Sequence, residues 1–483
     1  MYFNSFQFVA FFAVAFVLAA ALRRRVRARN AVLLVASYFF YACWDWRFLG
    51  LMLLSTVVDY ACGRILDVRE TTDEPPPSTA KRRAVLITSL VVNLGLLGFF
   101  KYFDWFLASL TDLLQLLGLD ARYETLGILL PVGISFYTFQ TLSYTIDLYR
   151  GKLTTERDFL NFALFVSFFP QLVAGPVERA RNLLPQFRLP TEITWPRLSS
   201  GFYLISWGLF KKVVVADNLA FLVADVWGMQ DPSGVEVYIG CYAFAIQLYC
   251  DFSGYSDIAR GVARCMGFEL MLNFRLPFFA PNVTEFWRRW HISFSTWLRD
   301  YVYFALGGSR KGVVRSYLAL LATMVVSGVW HGSGWPFALM GLTYGTQLCV
   351  HKAAAPTLAR IAPTGPVTKH LWWGLCVFVT FQLFTFPMIF FRSATMETVV
   401  RMVSSGFAQP LPASWAQISD GVWQLVAFSA LLMTVQTYQF VKKDLDAVLS
   451  SPVVVRAIFY AGMILGILWF GVTDGDAFVY FQF

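Results

Sequence analysis

The sequence predicts an all-helical, polytopic membrane protein. Three observations carry that reading: few charges, apolar runs repeated from end to end, and basic residues gathered in short loops. Of 483 residues 57% are hydrophobic and only 14% charged, against about 25% charged in a soluble globular domain. Apolar runs recur at Phe6–Leu22, Ala31–Trp44, Phe48–Leu66, Ala84–Phe100, Leu126–Leu142, Phe159–Leu172, Phe202–Ala224, Val237–Tyr249, Ser316–Trp330, Pro336–Val350, Leu371–Phe391, Val422–Val435 and Ala457–Val472. A crossing takes about 20 residues. Several runs are shorter, so the expectation is roughly ten to twelve crossings with further re-entrant and interfacial segments.

The net charge of +9 lies largely in loops, notably Arg23–Arg29 and Lys81–Arg83. Basic loops of this kind face the cytoplasm and the bilayer surface, and they give no sign of a nucleic-acid partner. Five arginines follow the first apolar run and no basic residue precedes it, the reverse of a cleavable secretory signal. The N-terminus is therefore expected outside. The acidic Asp474 and Asp476 after the last run, with Lys442, Lys443 and Arg456 before it, put the C-terminus outside too, which implies an even number of crossings.

The seven cysteines show no C-x-x-C spacing and the four histidines no i, i+4 pairing, so neither a disulfide framework nor a metal site is expected. The absence of G-x-S-x-G and of G-x-x-x-x-G-K-[ST] argues against a serine hydrolase or an ATP-driven pump. The Pro-rich stretch 71–78 sits in an extended cytoplasmic loop, 67–83. The polar stretch Ser404–Asp420, with Pro410 and Pro412, is expected at a membrane surface. No internal repeat is evident, and a single membrane domain, 1–483, is the reading.

Chemistry concentrates in two places. Inside the long apolar stretch Tyr317–Val350 stands Ser327-Gly328-Val329-Trp330-His331-Gly332-Ser333-Gly334-Trp335-Pro336. An ionisable group at membrane depth is expensive and lines a cavity or carries function, and broken helix is tolerated only where backbone is buried in protein or faces a cavity. His331 is thus the centre of an expected intramembrane site, with a structural histidine bonded to a neighbouring helix as the competing reading. The second place is Pro281–Gly308. Asn282 and Glu285 fit a helix start and Gly307-Gly308 a stop. Trp287, Trp290, Phe294, Trp297 and Tyr301 form an apolar stripe opposite Glu285, Arg288, Arg289, Thr296, Arg299 and Asp300. One helix is predicted, lying at the interface or bordering a polar cavity with its aromatics packed into protein, with His291 at the edge of the stripe. Arg288 and Arg289, like Arg310 and Lys311 further on, either bind phosphates or mark the membrane boundary.

The runs Thr284–Tyr301 and Ser327–Gly332 resemble the membrane-bound O-acyltransferases, most closely the branch that O-acetylates alginate and other exported polysaccharides. Four further blocks agree: Pro131–Tyr137, Pro170–Pro176, Asp251–Ala259 and Tyr480–Phe483. The core of the likeness runs from about 251 to 345. The resemblance implies a helical bundle with a thin centre and a tunnel joining its faces, in the bacterial cytoplasmic (inner) membrane. It implies His331 as catalytic residue and His291 as a second active-site histidine, with Trp330, Trp287, Arg288, Arg289, Asp251, Ser253, Tyr255 and Asp257 as candidate substrate contacts. For the two aspartates, burial against neighbouring helices is an equal alternative. No resident cofactor or metal is implied. The implied donor is acetyl-CoA, a ready-activated thioester, and the implied partners are an exported polysaccharide and secreted or membrane-anchored acetyltransferases. A neutral imidazole near pH 7 can take the proton of a hydroxyl acceptor. D-alanyl transfer from a carrier protein to teichoic acid, or transport without acyl chemistry, are the alternatives.

Overall fold

A computed structural model describes residues 1–67, 78–172, 175–412, 414–472 and 478–479. Most of the 67–83 loop, Val173 and Ala174 of the Pro170–Pro176 block, the acidic Asp474 and Asp476, and the Tyr480–Phe483 ending lie outside the described residues. Those described form helices and connecting loops, with no strand among them. They group into two compact units, Met1–Phe202 with Ala259–Met271, and Tyr203–Ile258 with Leu272–Phe483.

The chain runs through α1 (Phe6–Ala21), α2 (Val26–Asp45), α3 (Leu49–Ile65), α4 (Thr79–Leu97), α5 (Phe103–Leu116), α6 (Ile134–Tyr149), α7 (Phe159–Ser167), α8 (Phe169–Leu172), α9 (Ala180–Phe187), α10 (Trp195–Phe210), α11 (Asp217–Gly228) and α12 (Gly234–Cys265). It continues with α13 (Val283–Arg289), α14 (Ile292–Leu298), α15 (Val313–His331), α16 (Trp335–Ile361), α17 (Pro366–Thr385), α18 (Met388–Arg392), α19 (Met396–Ala408), α20 (Trp415–Lys442) and α21 (Val453–Phe470). Among the described residues six segments are long and apolar enough to cross a membrane: Val26–Ile65, Thr79–Leu116, Val313–His331, Pro366–Arg392, Ile418–Lys442 and Val453–Phe470. This is a multi-pass helical membrane protein.

Apolar runs do not translate one for one into helices. The run Leu126–Leu142 is irregular up to Val132, and helix begins only after Gly133, whose φ of 78° is left-handed. Pro131 ahead of it disfavours helix, and a Cβ at Gly133 would fall 2.8 Å from the Leu172 carbonyl. Phe159–Leu172 likewise splits into α7 and the short α8, which contains Pro170.

In the first unit a polar cluster ties three helices. The buried Asp59 of α3 accepts hydrogen bonds from Ser89 and Asn93 of α4, the latter at 2.7 Å, and from Thr145 of α6 at 2.9 Å. Ser55 donates to the side-chain oxygen of Asn93 at 2.6 Å. Between helices packed in a membrane, side-chain bonds of this kind contribute to specific association. In the second unit α15 and α16 pack through glycines. A Cβ at Gly328 would sit 2.1 Å from the Phe337 carbonyl oxygen, and one at Gly341 would sit 2.2 Å from that of Met324. Only bare backbone allows so close an approach, and this crossing fixes the helix end that carries His331.

Candidate active site

His331 is the last residue of α15. The chain leaves it through Gly332 and re-enters helix at Trp335 with Pro336 in the first turn, where proline is pre-organised and its missing N–H costs nothing. A Cβ at Gly332 would strike the Phe337 ring at 2.2 Å. The helix break read from the glycines and Pro336 is present, and it leaves His331 at a helix end, 7% exposed.

His291 departs from expectation. The predicted single helix is broken: α13 stops at Arg289, His291 takes a left-handed conformation (φ 42°, ψ 54°), and α14 starts at Ile292. After α14 the chain widens into a π turn, Arg299–Tyr303. Left-handed geometry disfavours a side chain with a Cβ, so the fold holds the turn from outside. Asn273 does this: its carbonyl accepts the Ile292 N–H at 2.9 Å and its side-chain oxygen the Ser293 hydroxyl at 2.6 Å, while its amide donates to Ser256 at 3.0 Å. Asn282 caps α13 through the Glu285 N–H, as the sequence predicts, and the turn at Gly307 and Gly308, both with positive φ, ends the segment.

The two imidazoles share an aromatic wall. Phe294 and Trp330 stack at 4.1 Å between centroids. His291 packs against Phe294 at 4.9 Å and Trp330 at 5.9 Å, with the edge of Phe252 at 4.5 Å on another side. His331 meets Trp330 at 5.0 Å, Phe294 at 5.8 Å and Phe391 at 5.2 Å. His291 is 1% exposed, and neither ring nitrogen has a hydrogen-bond partner among the described residues. An orphaned buried polar group demands a reason. His291 lies outside the six candidate spans. Burial, and then the neighbouring His331, lower its pKa well below the ordinary histidine value, which keeps the imidazole neutral and able to accept or donate one proton.

Two cavities meet here. A narrow one of about 20 Å³ borders His331, with Met340, Met388, Tyr344 and Phe391 in its wall, enough for about one water-sized group. A larger one of about 500 Å³ is bordered by Arg288, Arg299, Thr284, Thr296 and Tyr303, within the ordinary range of ligand pockets. Trp287, Met324 and Ser327 line both. The larger cavity therefore offers a cationic, hydroxyl-bearing margin, and the narrow one an aromatic chamber beside an imidazole.

The other candidates divide. Trp287, Arg288 and Trp330 lie at the cavities or on the histidines. Arg288 also pairs with Glu285, at 3.5 Å; Arg289 bonds the same carboxylate at 3.0 Å, and its carbonyl accepts the Arg275 N–H. Asp251, Ser253, Tyr255 and Asp257 belong to a buried charge network. Lys212 pairs with Asp251 at 2.8 Å and Asp217 at 2.7 Å, and sits over the Tyr255 ring; Lys211 pairs with Asp257 at 2.6 Å and donates to Ser253 at 3.0 Å. Asp251 also accepts the Val479 N–H at 2.7 Å, and Phe478 beside it packs on Phe252, the ring against His291. The network thus supports the site from behind. Sequence reasoning missed Lys211 and Lys212, although two lysines inside the apolar run Phe202–Ala224 were a visible signal. It also missed Asn273, Phe391 and Ser327.

The protein thus sets two buried imidazoles against one aromatic wall, and His331 borders a narrow chamber that has Trp287, Met324 and Ser327 in common with the larger cavity. Its sequence matches the membrane-bound O-acyltransferase family over residues 40–395. It is 40% identical to a probable alginate O-acetylase of Azotobacter vinelandii, over 79% of this chain and 73% of the relative. Identity to the probable alginate O-acetylase of Pseudomonas aeruginosa is 39%, over 83% and 71%, and to a peptidoglycan O-acetyltransferase of Helicobacter pylori 34%, over 77% and 72%. The chain belongs to the membrane-bound O-acyltransferase family and is an acyltransferase.

Proposed function

We propose that this protein is a membrane O-acetyltransferase that draws acetyl groups from cytoplasmic acetyl-CoA and delivers them across the membrane for O-acetylation of an exported polysaccharide such as alginate, directly or through secreted or membrane-anchored partner acetyltransferases. The observation that carries this reading is the pair of buried histidines on one aromatic wall, with His331 bordering a chamber beside the larger cavity. The names of the relatives supply the acyl group and the class of acceptor.

In the proposed reaction His331 takes the proton of the acceptor hydroxyl as its oxygen attacks the thioester carbonyl. The C–O bond forms, the C–S bond breaks, and the proton returns to the leaving CoA thiolate. Neutral His291 donates to the carbonyl oxygen as negative charge develops there. Arg288 and Arg299 at the mouth of the larger cavity suit the phosphates of the donor. The chain acts as one acyltransferase domain in the bacterial inner membrane, with roughly ten to twelve crossings, a tunnel joining the two faces, and both termini outside. The basic Arg23–Arg29 and Lys81–Arg83 loops support that orientation.

The test is donor dependence. Purified protein given acetyl-CoA and a candidate acceptor should release free CoA and label the acceptor. Turnover with an acyl carrier protein and none with acetyl-CoA would transfer the reading to D-alanyl-type chemistry. Solute movement without any thioester consumption would end the acyltransfer proposal for this acceptor class.

A further inference from the structure

The loop Gly307–Gly312 and the first turns of α15 border an open groove of about 640 Å³ that neither His291 nor His331 lines. One wall is apolar and exposed: Val314 is 73% and Leu318 60% exposed, with Ala322 a turn further along. Its mouth is basic. Lys311 and Arg315 both fold over Gly307, where a Cβ would fall 2.7 Å from the Arg315 Nε and 3.3 Å from the Lys311 Cδ. Arg315 Nε donates to the Leu306 carbonyl at 2.8 Å. Arg310 stands nearby, its guanidinium 5.7 Å from the Phe304 ring centroid. Among the described residues none of these three cations pairs with a carboxylate, although Arg299 and Asp300 a short way upstream do pair.

These cations immediately precede or open a candidate membrane span that begins at Val313. Lys311 and Arg315 line the head of an apolar groove and Arg310 precedes them in the same loop, with no carboxylate on any of the three among the described residues; at the start of a candidate span, that arrangement matches an anionic amphiphile. We infer that this groove is a binding site for an anionic phospholipid, its phosphate held by Arg310, Lys311 and Arg315 and one acyl chain laid along Val314, Leu318 and Ala322. Those residues span roughly 12 Å of helix at about 1.5 Å per residue, so the groove covers the upper part of one chain. A zwitterionic lipid brings its own cation to the same mouth and gains less. A water-soluble phosphate leaves the apolar wall uncovered.

The test uses the full-length protein in detergent and native mass spectrometry with equimolar phosphatidylglycerol and phosphatidylcholine of matched chains. Wild type should retain phosphatidylglycerol preferentially. Arg310→Gln with Lys311→Gln, both at exposed positions, should lower that preference by about fivefold for each cation removed, the scale of one basic residue near an anionic bilayer. Ala322→Trp, which fills the groove, should lower retention of both lipids. Equal retention of the two lipids by wild type, or a preference unchanged in the double variant, overturns the inference. Complete displacement of phosphatidylglycerol by glycerol 3-phosphate at equal concentration also overturns it, because the apolar wall would then contribute nothing.

Discussion

Around the π-helical turn Lys211–Ala216, the side chains of Lys211, Lys212, Asp217, Asp251 and Asp257 are brought together inside the protein, and each is held by an opposite charge at 2.6 to 2.8 Å. Around His291 the protein buries an imidazole just as deeply, and among the described residues nothing bonds either nitrogen. The first region turns its charges on one another. The second withholds its polarity, surrounds it with aromatic rings and places a cavity beside the neighbouring histidine. Burial of a polar group is therefore no guide to function by itself. Whether its bonding capacity is already used separates a structural network from a reaction site.

Breaking the charge network should give the largest effect on folding. Lys212→Met leaves Asp251 and Asp217 buried without their shared cation, and removal of one partner of a buried pair costs about 3–5 kcal/mol. Yield of monodisperse protein in detergent and its thermal midpoint should both fall sharply; an unchanged midpoint would contradict the network's structural role. Breaking the open region should do the reverse. His291→Ala should leave the thermal midpoint near wild type while lowering acetyl transfer by about 10²–10³, the scale of losing one donor to a developing oxyanion. A variant that unfolds instead would place His291 with the structural groups.

The cavity mouth should respond more mildly. Arg288→Gln with Arg299→Gln should raise KM for acetyl-CoA several-fold with kcat little changed, as for loss of contacts made equally in ground and transition states. A drop in kcat alone would remove these arginines from donor binding. The pH profile is the subtlest readout. Because burial and His331 lower the His291 pKa, that imidazole stays neutral as pH falls through the usual histidine midpoint of about 6.5 and is lost to protonation only below it. Activity attributable to His291 should therefore persist on the acid side of that midpoint, which a wild-type against His291→Ala comparison across pH measures.

The contrast between the two histidines also explains what the sequence made legible. Gly332, Gly334 and Pro336 announce a broken helix in residue types alone, so the setting of His331 was readable. The turn at His291 has no glycine or proline: Trp290-His291-Ile292 looks helical, and the stripe Trp287, Trp290, Phe294, Trp297 fits a single helix. What bends the chain there is Asn273, which lies 18 residues upstream in sequence and meets the turn only after folding. The membrane class followed from composition. Helix ends inside apolar runs did not, because Gly133 is fixed by its close approach to Leu172. Of the two aspartates Asp251 is buried and Asp257 half-buried, and their partners Lys211 and Lys212 sit within an apolar run that hides them from a reading of composition.

The most direct test of the central claim compares wild type with His331→Ala, purified, given acetyl-labelled CoA and a polysaccharide acceptor with candidate partner proteins. The account predicts CoA release and label on the acceptor with wild type, and loss of both in a variant that keeps its thermal midpoint. Full transfer by folded His331→Ala would contradict it.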